Sequence, residues 1–154
     1  MNWYHIEKFL DKNKKLFPKI LIENTKNFPI PSKKKENIFE NLALSMIDKN
    51  EKLHNEVESF HKYLFSDFNV SKINKKLMEY YNLTFDDLYK EVKKQYKQIT
   101  RQEKDKLEKE YILSIEIIEP LQKEIKSIDK EIDNLVYELY DLNDEEIKII
   151  EKSV

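Results

Sequence analysis

The chain has 154 residues and a net charge of −2, with 40% hydrophobic and 38% charged residues, which suits one domain with a modest core. It contains neither glycine nor cysteine. That composition excludes dinucleotide fingerprints and P-loops, which need a backbone free of a Cβ, and it excludes disulfides, Cys-ligated zinc, iron–sulfur clusters and thiol catalysis.

Residues 2–15 carry Trp3, Ile6, Phe9 and Leu10 at helical spacing, which predicts a short helix. The first residues show no charged-then-apolar signal pattern, and no apolar run approaches the roughly 18 residues that would span a bilayer, so a cytoplasmic, non-membrane protein is expected. Lys19 to Ile22 reads as a brief strand or extended piece. Phe28-Pro29-Ile30-Pro31 then fixes an extended path and stops any helix. The expected organisation is a short helix and proline-containing segment over 1–31, followed by a helical module over 32–154, one domain overall.

Ser32 offers an N-cap, and a helix is predicted from Lys33 to about Phe65. Phe39, Met46, Leu53 and Phe60 fall seven apart, flanked by Leu42, Ala43, Val57 and Leu64, with Lys49 and Asn50 weakening the middle. The segment from Ser66 to Ser71 is expected to break this helix. Two short helices are predicted over 72–81 and 85–97, the second opened by a capping box of Thr84 and Asp87, with Ile73, Leu77, Tyr80, Phe85, Leu88, Val92 and Tyr96 for burial. Thr100 and Glu103 form another capping box, and a long helix is predicted from there to about Tyr140, bent at Pro120. Asn143 with Glu146 starts a last short helix, with Leu142 and Ile147 placed as a hydrophobic staple.

Within the long helix, Ile115, Ile118, Leu121, Ile125, Ile128, Ile132, Leu135 and Leu139 step by threes and fours. Such a stripe is a coiled-coil seam and must be covered by another helix, from this chain or a second copy. The expected fold is therefore all-α: a long antiparallel, coiled-coil-like helical hairpin with short helices at the connection.

Few patterns point to chemistry. His54, Glu58 and His61 share one helix face at i, i+4 and i+7, a spacing that suits metal ligands but lacks a fourth, so no metal is expected. Asp86-Asp87 and Glu145-Glu146 sit in first helical turns, where the macrodipole favours negative charge. Glu-x-Lys pieces at Glu91, Glu124 and Glu146 lack the strand and second acid of a nuclease site. Tyr80, Tyr81, Tyr89, Tyr96 and Tyr111, interleaved with lysines, suit either base stacking or ordinary burial. Net charge makes no demand for nucleic acid, so any basic surface must be local; lysine runs occur at 12–15, 33–35, 72–76 and 90–97.

The stretch Ile132-Asp133-Asn134-Leu135-Val136-Tyr137-Glu138-Leu139-Tyr140-Asp141-Leu142-Asn143-Asp144-Glu145-Glu146-Ile147-Lys148-Ile149-Ile150-Glu151 resembles the closing segment of type II restriction–modification proteins with an adenine-specific DNA methyltransferase. Phe28-Pro29-Ile30-Pro31, leading into a long helix, resembles the exit from a target recognition domain into its helical spacer, as in type I specificity subunits. The stretch from Leu77 to Leu88 is similar to the insert such proteins carry before their last helix. The resemblance spans about residues 17 to 151. It implies a spacer and dimerisation part rather than the enzyme, because this chain has neither the Gly-containing S-adenosylmethionine loop nor an Asn-Pro-Pro-Tyr type motif. No catalytic residue and no cofactor are carried over.

A non-catalytic spacer and specificity module follows, with duplex DNA, a methyltransferase or restriction polypeptide, and a second copy as the implied partners. Lys33, Lys34 and Lys35, at a helix N-terminus, are the expected DNA contacts. Ile118, Leu121, Ile125, Ile128, Ile132, Leu135 and Leu139 are the expected interface. The alternative is a structural coiled-coil assembly protein that does not bind DNA.

Overall fold

The computed structural model describes residues 36–153, which form helices and short connections with no strand among them. Helix α1 spans Glu36–Phe68, α2 Lys75–Met78, α3 Phe85–Gln95, α4 Arg101–Leu139 and α5 Asp144–Ser153, with a 3-10 turn at Tyr80–Asn82 between α2 and α3. Two compact units result: one is Glu40–Lys130, and the described residues of the other are 36–39 and 131–153. The boundary expected near residue 31 and the predicted short helix over 2–15 lie outside the described residues.

In the larger unit α1 and α4 run antiparallel. The Lys49 ammonium reaches the Glu124 carboxylate at 2.6 Å, and farther along α1 the Tyr63 phenol feels the charge of Glu110. As numbers rise on one helix they fall on the other. The hairpin is the expected one, and it is closed by the connection from Asn69 to Thr100. Its core is Phe60, Leu64, Phe68, Val70, Leu77, Tyr80, Leu88, Val92, Leu107 and Ile118, contributed by both long helices and by the connection. Each fully buried leucine contributes about 1.5–3 kcal/mol relative to an exposed one.

Helix ends in this glycine-free chain are turned by other residues. Asn69 takes φ 45° and Asp141 φ 50°, the left-handed region that Asn and Asp tolerate best after glycine. After Asp141 the Leu142 N–H donates to the Tyr137 carbonyl (3.0 Å) and the Asp141 N–H to that of Glu138 (3.3 Å), the paired bonds of a Schellman end. The three predicted capping pairs are all formed. Thr84 Oγ accepts from the Asp87 N–H at 3.3 Å, the Thr100 N–H donates to Glu103 at 2.7 Å, and the Asn143 N–H donates to Glu146 at 2.9 Å. Leu142 and Ile147 are both half-buried, as a staple requires.

Three boundaries differ from the sequence reading. Helix α1 continues through Phe68 because that ring is needed in the core, edge-on to Tyr63 (5.6 Å) and Tyr96 (6.1 Å). The helix expected over 72–81 shrinks to one turn and a 3-10 turn. Asn74 caps it late by accepting from the N–H groups of Lys76 (3.0 Å) and Leu77 (2.9 Å), and Glu79, at φ −120° and ψ 45°, interrupts it. Helix α3 ends at Gln95, two residues before the expected Lys97. Helix α4 runs through Pro120 without interruption for 39 residues.

Candidate functional site

The seam of α4 is filled by this chain at one end. Leu107, Ser114 and Ile118 are buried, with Tyr111 and Ile115 packed against the core. The regular four-and-three series passes through Ser114, and Ile115 beside it packs against the same core. A polar residue is accepted there because the Ser114 hydroxyl is bonded to the Tyr80 phenol at 2.5 Å. Ile118 is fully enclosed, whereas Leu121, Ile125, Ile128, Ile132, Leu135 and Leu139 are half-buried.

On α1 the partner stripe is corrected in its middle. Asn50 is exposed and donates to the Met46 carbonyl on its own helix (2.8 Å), and Ala43 is exposed as well. Lys49 stays at the seam, half-buried, and pairs with Glu124, so a charge in the stripe becomes a cross-helix tie. An open groove of about 640 Å³ runs between the two helices beside it, lined by Lys52, Glu56 and Ser59 on α1 and Ile117, Pro120 and Leu121 on α4.

The tyrosines of the connection and of α4 that could have stacked on bases are used internally. Tyr80 is fully buried, stacked on Phe60 at 4.1 Å and edge-on to His61 at 5.9 Å. Burial holds its phenol well above the ordinary tyrosine range. Tyr111 donates to the Leu83 carbonyl at 2.6 Å and Tyr96 to Glu103 at 3.2 Å. The Tyr63 hydroxyl is buried without a hydrogen-bond partner, and burial, with Asp67 and Glu110 nearby, pushes it up to about 12. Tyr89 is half-buried with the Lys104 ammonium 5.0 Å from its ring centre. These rings form a core and its rim rather than a stacking platform.

The histidines are not brought together either. His54 is exposed, while His61 is buried with Nε2 2.9 Å from the Leu77 carbonyl. Among the described residues no group of three or more His, Asp or Glu converges as a metal site would require. Lys33, Lys34 and Lys35 lie outside the described residues.

Sequence reading missed two polar clamps that fix the connection. The Gln95 side-chain oxygen accepts from the backbone N–H groups of Ser71 (3.2 Å) and Lys72 (3.1 Å) and from the Ser71 hydroxyl (3.2 Å), and its amide donates to the Lys72 carbonyl (2.8 Å). The Glu91 carboxylate, largely buried, accepts from the Asn74 amide (3.2 Å) and lies 2.7 Å from Lys94 Nζ and 3.4 Å from Lys76 Nζ. The Lys94 hydrogen bond, with those of Asn74 and Lys76, holds its carboxyl below the usual carboxylate range. Both clamps tie the stretch before α2 to the last turns of α3, some twenty residues away. A polar residue on the inner face of a strongly amphipathic helix was their only signal in the sequence.

These features define an all-helical module built on a long antiparallel helix pair with a small helical cap. The chain belongs to the family described as the domain of unknown function DUF8810, whose model matches residues 32–136. The match takes in α1, the connection and most of α4, and stops before α5. No curated protein and no solved structure matches the chain. No helix among the described residues is long and apolar enough to cross a membrane.

Proposed function

We propose that this chain is a non-catalytic helical spacer of a restriction–modification system, which supports recognition of a DNA target and docks a methyltransferase or restriction polypeptide, or a second copy, through its seam. The supporting observation is the antiparallel pair itself. Helices of 33 and 39 residues, at 1.5 Å per residue, are about 50 and 58 Å long, and their pairing is the geometry a stiff spacer needs. The likeness of residues 132–151 to the closing segment of adenine-specific methyltransferase proteins gives this spacer its setting. Lys33, Lys34 and Lys35 are its proposed DNA contacts.

The test is co-expression with an adenine-specific DNA methyltransferase of the type II class, followed by co-purification and target-duplex binding. A stable complex that binds its duplex more tightly than the methyltransferase alone is expected. No complex, or a complex with unchanged affinity, overturns the reading. The second reading, assembly without DNA, is favoured by apolar side chains that the chain leaves outside, with Ile47 63% exposed on α1 and Ile117 48% on α4. A clean dimer that binds no DNA supports it.

A further inference from the structure

The connection concentrates positive charge in an otherwise acidic chain. Residues 69–100 hold seven lysines against four carboxylates, whereas the remainder of the sequence holds twenty-one basic against twenty-six acidic residues. In sequence these lysines form two separate runs, at 72–76 and at 90–97. The fold joins them. Gln95 grips Ser71 and Lys72 on four hydrogen bonds, two of them to the Lys72 backbone, and Glu91 holds Lys76 and Lys94 on the same oxygen, at 3.4 and 2.7 Å. Lys90 stands one turn back, 3.0 Å from Asp87, whose carboxylate also feels Lys76.

We propose that this joined surface, formed by Lys72, Lys75 and Lys76 with Lys90 and Lys94, is a binding site for the phosphate backbone of nucleic acid. All five side chains are exposed, so their ammonium groups can be reached by a phosphate. Lys76 and Lys94 share one largely buried carboxylate, which fixes their position and leaves the pair with surplus positive charge. Lys72 and Lys75 make no ion pair among the described residues. Helix-end electrostatics would account for Lys93 and Lys94 in the last turn of α3 and for Lys75 and Lys76 in that of α2, but not for Lys72, nor for the clamps that bring the two segments together. An anionic lipid surface fits less well, because lasting attachment there needs an apolar or acyl anchor beside the basic residues, and Met78 is the one large exposed apolar side chain on α2.

Lysine ammonium groups on phosphates carry no sequence information, so backbone binding without sequence preference is expected. It does not depend on the restriction–modification reading, in which DNA meets Lys33, Lys34 and Lys35.

The experiment is fluorescence anisotropy of the full chain with a labelled duplex of arbitrary sequence, between 50 and 200 mM salt. Three proteins are compared: the natural chain, Lys72→Gln with Lys75→Gln, and Lys33→Gln with Lys34→Gln and Lys35→Gln. The first pair of substitutions leaves the Glu91 and Gln95 clamps in place, so the fold is retained. The natural chain should bind with a steep salt dependence, and the double variant should bind about tenfold more weakly with its slope reduced by roughly 2, about 0.9 for each lost phosphate contact. The triple variant should bind as the natural chain does. No binding at 50 mM salt overturns the proposal. So does unchanged binding by the double variant, and if the triple variant alone loses affinity, the DNA contact of the spacer reading is supported instead. Binding to phosphatidylserine vesicles without binding to duplex assigns the surface to a membrane and overturns it as well.

Discussion

Tyr80 and Glu91 show what single residues do in this fold. The Tyr80 ring fills the centre of the core against Phe60, and its hydroxyl satisfies Ser114 on α4. Tyr80→Phe should therefore keep the packing yet cost about 1–2 kcal/mol, because the Ser114 hydroxyl is left buried without its partner. Adding Ser114→Ala should cost less than the two single changes together, and urea unfolding of the three variants measures that coupling. Glu91 gives a pH dependence. Its carboxyl is held below the usual range in the folded chain, so the folded state binds its proton less readily than the unfolded one. The stabilisation is complete above the unfolded carboxylate value and is lost as pH falls through the lowered folded value. Glu91→Gln should thus be less stable than the natural chain at pH 7, and the difference should shrink as acid unfolding curves are taken to progressively lower pH, vanishing once the Glu91 carboxylate is protonated in the folded chain. A constant difference at all pH values would show that the Glu91 charge does not stabilise the fold.

At the scale of elements, local chemistry decides where helices start and tertiary packing decides where several of them stop. Thr100→Ala removes the hydroxyl that accepts from the Glu103 N–H, and about 1 kcal/mol of stability should go with it in denaturant unfolding. Pro120 gives the opposite expectation. It is exposed inside α4 and withholds a backbone donor from the ladder, so Pro120→Ala should stabilise by about 1–3 kcal/mol and raise the urea midpoint. Caps such as Thr84, Thr100 and Asn143 were legible because their signal lies within four residues. The end of α1 was not, since Phe68 is helical on account of Tyr63 and Tyr96, the second of them on a distant segment. The apolar stripe of α4 was legible, Ile115 included, but Ser114 beside it was not, because hydrophobicity alone cannot see a serine whose partner is a tyrosine hydroxyl 34 residues away. Of the site features named from sequence, the lysine runs at 72–76 and 90–97 were visible as runs. Their union was not, because it depends on the clamps of Gln95 and Glu91.

For the molecule as a whole, the question is whether the seam is completed by this chain or by a second one. Ile118 is fully enclosed by the chain itself, and Ile125 and Ile132 are already half-buried in it. A carboxylate at either position would lose hydration without gaining a partner, at a cost of a few kcal/mol. Ile125→Asp combined with Ile132→Asp should accordingly lower the unfolding temperature at every protein concentration, and should not merely separate intact folded copies. The natural chain tells the two cases apart. If its own helices complete the seam, its unfolding temperature is the same at 2 and 100 μM. If a second copy completes it, mass action stabilises the folded state, and the temperature rises with concentration. A rise that disappears in the double variant while the helical circular dichroism is retained would place Ile125 and Ile132 in an interface between copies. Equal temperatures in the natural chain, with a concentration-independent loss in the variant, would assign both residues to the packing of a single chain.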